Sequence, residues 1–169
     1  MRRTDQALVQ ALVSLVFEKG YDAITIQDLL DRADVGRSTF YAHYRGKDDL
    51  LLTSFRRLLD HLDRMLDRDG NPGGRIAPVQ ELFAHVASAR RFERALSRSH
   101  MVERQFHAGI QQLSGSIARR LAIGGPDGTF PIPVRAQALA GGLFAMLRWW
   151  LDGDMPYSPE EMDRMFHAL

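Results

Sequence analysis

Apolar residues recur at helical spacing along most of the chain, and the breaks between the runs carry recognisable start and stop signals. Leu8, Leu12, Leu15 and Val16 predict a helix over 5–19, with Thr4 as N-cap and Gly20 as its stop. Thr25 and Asp28 stand at capping-box spacing, and Ile24 and Leu29 occupy the two positions of a hydrophobic staple. A short helix burying Leu29, Leu30 and Ala33 should follow. Asp34-Val35-Gly36 interrupts the pattern with residue types that tolerate turn geometry. A second short helix then places Phe40 and Tyr44 four apart against a core completed by Phe17, Ile26, Leu29 and Leu30. From Lys47 to about Arg68, Leu51, Phe55, Leu58, Leu62 and Leu66 mark one long helix of about 30 Å at the standard rise.

The Gly, Asn and Pro of 69–74 form the clearest break. Beyond it the spacing predicts helices over 78–90, 91–98 and 101–122, then an irregular loop over 123–133. Residues 134–152 make a helix apolar nearly all round, which must be covered on most sides. Gly141 and Gly142 in its interior cost up to about 1 kcal/mol each relative to Ala, so another backbone is expected to approach closely. Ser158-Pro159-Glu160-Glu161 is a strong start for a last helix carrying Met162, Met165, Phe166 and Leu169. The expected fold is all-α with about nine helices. Residues 1–50 form a three-helix helix-turn-helix domain, joined by the long helix to a helical domain over 51–169.

The outward set on the second short helix, Arg37, Ser38, Thr39, Tyr41 and His43, is made of hydrogen-bond donors. Two short helices joined by a tight turn, the second presenting donors, is the design that lays a helix in the DNA major groove. The run Thr25-Ile26, Asp28-Leu29, Ala33, Val35, Thr39-Phe40-Tyr41, His43-Tyr44, Lys47 and Asp49-Leu50 resembles, without a gap, the DNA-binding signature of TetR-type transcriptional repressors. Asp34 stands where the family often has Gly, and Gly36 where it often has Ser or Thr, removing a phosphate contact at the start of the reading helix.

The resemblance implies base-edge contacts from Arg37, Ser38 and Tyr41, and backbone grips from Thr25, Thr39, His43 and Lys47. It implies a homodimer on a palindromic double-stranded operator, since a lone helix-turn-helix reads too few bases. The last two helices resemble the family's dimer surface, with Leu139, Gly142, Leu143, Met146, Trp149, Met162, Met165 and Phe166 as candidates. A pocket for an unidentified small effector, apolar or amphipathic, is implied in the second domain. Its candidate lining is Phe83, Val86, Phe92, Phe106, Ile110, Met146 and Trp150, residue types that also serve as plain core.

The formal net charge of +1 does not by itself indicate a nucleic-acid binder. Its distribution does: Arg2, Arg3, Arg37, Arg45 and Lys47 fall at the motif, and Asp60, Asp63, Asp67 and Asp69 well beyond it. With 45% hydrophobic and 25% charged residues the composition is globular, and no apolar run approaches the roughly 20 residues that span a membrane. Cys is absent and no signal-peptide core follows Met1, so a cytoplasmic location is expected. No nucleophile arrangement, phosphate loop or cofactor motif stands out, and the His100, Glu103 and His107 spacing is common on any exposed helix. Neither an enzyme nor a metal protein is expected. The competing reading is an effector-independent or nucleoid-associated DNA-binding factor that works through a protein partner.

Overall fold

The computed structural model describes residues 3–68, 71, 74–97, 99–123 and 130–169. Arg2 and most of the expected breaks at 69–74 and 123–133 lie outside the described residues. Among the described residues the chain is all-helical: α1 (Arg3–Lys19), α2 (Ile26–Ala33), α3 (Arg37–Tyr41), α4 (Lys47–Arg68), α5 (Val79–Ser88), α6 (Arg90–Leu96), α7 (Met101–Ile123), α8 (Ile132–Asp152) and α9 (Pro159–His167). They pack as two compact units, the first formed by residues up to Phe55 with Ala89–Gln105, the second by Arg56–Ser88 with Phe106–Leu169. α6 and the start of α7 therefore belong with the helix-turn-helix, a grouping that the division at residue 50 did not anticipate.

In the first unit Leu8, Leu12, Leu29, Phe40 and Leu50 have no exposed surface or nearly none and form the centre of the core. α1 begins before Thr4, which lies inside the helix rather than capping it. Gly20 stops α1 at φ +75, a backbone state that glycine adopts without strain. Phe17 departs from expectation: it is 47% exposed and stands edge-on to Phe92 of α6, ring centroids 6.3 Å apart, with the Arg91 guanidinium 5.5 Å from its centroid. It sits on the rim that α6 covers, not among the three short helices.

In the second unit α4 buries Leu59, Leu62 and Leu66, while Leu58, and Phe55 at the end of the first unit, are only half-buried. Asp63, well beyond the motif, is buried, and Arg120 Nη1 donates to it at 2.6 Å while Arg119 reaches it at 3.4 Å. Phe83 of α5 packs on Trp150 of α8, centroids 4.8 Å apart, and the Trp150 indole N–H donates to the Tyr157 carbonyl at 2.8 Å. α9 starts at a complete capping box between Ser158 and Glu161 and packs on α5. Arg75 bridges Glu81 and Asp163 at 2.7 Å each, tying the two helices together. At Gly109 the Phe144 ring fills the space a Cβ would need.

The apolar faces of α8 and α9 correct part of the expected dimer surface. Leu143, Met162 and Phe166 are buried in the core of their own chain, so they are unavailable to a partner. Val134 and Trp149 are 54% and 55% exposed, Met165 is 40% exposed, and Leu139, Gly142 and Met146 are half-buried. Among the described residues nothing makes the close backbone approach expected at Gly141 and Gly142: a Cβ at either would have no described atom within 4 Å.

Candidate nucleic-acid interface

The turn between α2 and α3 is built from three local devices. Thr25 closes a reciprocal capping box, its hydroxyl accepting from the Asp28 N–H at 3.2 Å while Asp28 Oδ2 accepts from the Thr25 N–H at 2.7 Å. Asp34 ends α2 in the left-handed region at φ 52 and ψ 51, the conformation that Asp tolerates better than most residues. Gly36 then starts α3 without a side-chain cap. Three residues separate the two helices, and α3 is only five residues long.

Beneath α3 the aromatic pair anchors it. Phe40 is fully buried, and the buried Tyr44 donates its hydroxyl to Asp5 of α1 at 2.8 Å. A DNA-stacking role for Tyr44 is thereby excluded. Above, Arg37, Ser38, Thr39, Tyr41 and His43 are all exposed. The side chains of Ser38, Thr39, Tyr41 and His43 make no hydrogen bond to a described residue, so their donors face solvent. Arg37 is steadied from α2: its Nη2 donates to Gln27 Oε1 at 2.8 Å, and Gln27 Nε2 in turn donates to Asp31 at 2.7 Å. This outward face carries donors held by a rigid buried underside, which is what groove reading requires.

Two of the expected backbone grips have other employment. Lys47 directs its ammonium at three carbonyls of the α1–α2 loop, Tyr21 at 2.9 Å, Asp22 at 3.0 Å and Ile24 at 2.8 Å, and lies 4.8 Å from the Tyr21 ring centroid. An ammonium has three donors, so none is left for a phosphate in this arrangement. The Thr25 hydroxyl hydrogen goes to Asp28 Oδ2 at 2.6 Å, which also removes Thr25 as a side-chain donor. The carboxyl of Asp28 is held well below the usual range, first by the Lys19 ammonium at 2.5 Å and then by Thr25.

Sequence reasoning missed the groups around the first turn of α4. Tyr21 is buried, and its hydroxyl donates to Asp48 Oδ1 at 2.6 Å. Burial, then that hydrogen bond, raises the phenol well above its ordinary value, so it stays a donor. Asp49 Oδ2 accepts from the Arg45 N–H at 2.9 Å across the α3–α4 turn. A cleft of about 570 Å³ opens here, bordered by Ile24, Ile26, Leu52, the α4 start and Arg104. No local spacing could have signalled contacts between residues 27 apart in the chain.

The expected effector lining does not form one group. Phe92 packs on Phe17 in the first unit. In the second unit Phe83, Val86 and Trp150 are buried core, whereas Phe106, Ile110 and Met146 keep partial exposure, Phe106 lying 5.6 Å from Phe144 and 5.8 Å from the Arg148 guanidinium. Among the described residues no cluster of three His, Cys, Asp or Glu is arranged to hold a metal, and no helix is long and apolar enough to cross a membrane.

A helix-turn-helix with an exposed donor face and a second helical unit make up the described fold. Residues 8–53 match the family described as bacterial regulatory proteins, tetR family. That match covers the helix-turn-helix segment. It is 40% identical over 65 residues to the uncharacterized HTH-type transcriptional regulator YxbF of Bacillus subtilis, covering 36% of this chain and 17% of that protein. To the HTH-type transcriptional repressor KstR of Mycolicibacterium smegmatis it is 27% identical over 101 residues, covering 60% of this chain and 47% of the relative. The chain thus spans less than half the length of these relatives. Among solved structures, the fatty acid degradation regulator FadR from Bacillus halodurans superposes with TM-score 0.66 at 16% identity, covering all of this chain and 95% of that one. NalD, the secondary repressor of the MexAB-OprM efflux pump in Pseudomonas aeruginosa, gives 0.51 at 18% identity over 96% and 92%. At these identities the structures speak for the fold alone. Both relatives are named as transcriptional regulators.

Proposed function

We propose that the chain is a homodimeric repressor that lays α3 in the major groove of a palindromic operator and is released by a small apolar or amphipathic ligand. The observation that carries the DNA-binding part is the exposed, uncommitted donor set Ser38, Thr39, Tyr41 and His43 above the buried Phe40 and Tyr44. Arg37 donates bidentately to guanine, with Ser38 and Tyr41 beside it at the base edges, while Thr39 and His43 grip the backbone. Dimerisation is supported by the exposed Val134, Trp149 and Met165 and by the open space at Gly141 and Gly142, where a second helix backbone would offset the cost of two interior glycines. Effector release is supported by the partly accessible Phe106, Ile110 and Met146 in the second unit.

Enrichment of duplexes from a random pool, followed by titration of the winner at several salt concentrations, tests the DNA-binding part. Binding with a steep salt slope and a two-fold symmetric preference supports it. A thermal-shift screen against apolar metabolites tests the effector, because a specific ligand raises stability by mass action. Silence across such a screen with operator binding intact would favour an effector-independent factor.

A further inference from the structure

We propose that His100 and Arg104 are positioning residues for the reading head: they hold the Asp48 carboxylate from the start of α7, and protonation of His100 tightens that hold. The inference rests on the DNA-binding reading above. Three consecutive residues open α4, and each ties down a different neighbour. Lys47 stitches the α1–α2 loop, and Asp49 closes the turn that leaves α3. Asp48, between them, accepts from the Tyr21 hydroxyl at 2.6 Å, from Arg104 Nη1 at 2.5 Å, and faces His100 Nε2 at 3.0 Å. Asp48 thus stands in the first turn of α4, beside the Asp49 that closes the turn leaving the reading helix.

His100 is placed between two acids. Its Nε2 meets Asp48 Oδ2, and its Nδ1 lies 3.4 Å from Asp22 Oδ1 on the α1–α2 loop. A neutral imidazole has one N–H and leaves a lone pair against the second carboxylate, whereas an imidazolium donates to both. Among the described residues it also faces the Tyr21 ring, centroids 6.0 Å apart, and Arg104 of the first turn of α7, which shares Asp48 Oδ2. Lys47, 4.8 Å from the Tyr21 ring centroid, has its ammonium turned to carbonyls. Although burial opposes ionisation of Asp48, hydrogen bonds from Tyr21 and His100 and the charges of His100 and Arg104 hold its carboxyl below the usual range.

The groups are partly exposed, so the effect on DNA affinity is about two- to fivefold, the scale of a solvent-accessible ion pair. His43 on the reading face is a second histidine, and the test removes it first. In a His43→Gln protein, affinity for a duplex enriched by that same protein is measured at about pH 6 and about pH 8, the span over which histidine changes charge. The expected result is about two- to fivefold tighter binding at the lower pH. Adding His100→Gln abolishes the difference, Arg104→Lys preserves it, and Arg104→Gln weakens binding at both pH values. Amide resonances of 21–24 and 47–49 in the free protein should titrate together with the His100 ring, a readout that needs no DNA. A pH response indifferent to His100→Gln, on a duplex that is bound, overturns this proposal and leaves the DNA-binding reading standing. So does a His100 titration that moves neither amide group. Failure to enrich any duplex would instead sink the DNA-binding reading.

Discussion

Replacing Lys47 by alanine discriminates most sharply between what its position in the motif implies and what its geometry does. The side chain closes the α1–α2 loop through carbonyls of Tyr21, Asp22 and Ile24 at 2.8 to 3.0 Å. The bonds to Tyr21 and Ile24 are part-buried, and the one to Asp22 is exposed, where water replaces the lost donor. Two under-satisfied carbonyls at about 1–3 kcal/mol each, discounted for partial water access, give a destabilisation of about 2–3 kcal/mol. For a chain of this length that lowers Tm by about 4–12 °C. The assay pairs a thermal melt with operator affinity as a function of salt. The melt should fall by that amount, while the slope of log affinity against log salt stays unchanged, because no phosphate charge has been removed. A melt within a degree of the parent, with the slope flatter by about one unit, would show that the ammonium leaves its carbonyls to grip DNA.

Other outcomes follow from the same structure. Arg37→Ala should relax the preference at one base pair per half-site, at about 1–3 kcal/mol of discrimination, and Gln27→Ala should do so less, as read from enrichment logos. Gly109→Ala forces a methyl into the Phe144 ring and should cost about 1–3 kcal/mol in urea unfolding. Trp149→Glu puts a charge on the exposed α8 face and should convert a dimer to monomer in sedimentation without lowering the helix content. On acidification, Asp28 and Glu161, both held below their ordinary values in the native state, contribute stability that is present above the unfolded carboxylate range and lost as pH falls from that range through their lower folded-state values. Asp28→Asn should therefore flatten the acid limb of the stability curve.

How much the chain reveals of itself depends on how local each determinant is. The caps at Thr25 and Ser158, the Gly20 stop, the Asp34 turn and the whole span of α4 are consequences of residues within four positions of one another, and each stands where the pattern places it. The reading face is legible for the same reason, since α3 needs only Phe40 and Tyr44 to decide which side is buried. Partners far apart in sequence are not legible. Nothing near Asp63 announces Arg120, 57 residues on, so a buried ion pair reads as surface charge. Lys47 carries the family's motif position and yet satisfies a loop 23 to 26 residues earlier. The α8 and α9 faces mislead in a third way. Both sides of an apolar helix look alike in sequence, and only packing reveals that Leu143, Met162 and Phe166 face inward while Trp149 and Met165 face out.

The most direct test of the account enriches a random duplex pool with the parent protein and with a variant in which Ser38, Thr39 and Tyr41 are all alanine. The parent should return an inverted repeat whose half-sites lie about 34 Å apart, or a multiple of that distance, and the variant should return none. Enrichment of the same repeat by both proteins, or of no sequence by the parent, would contradict it.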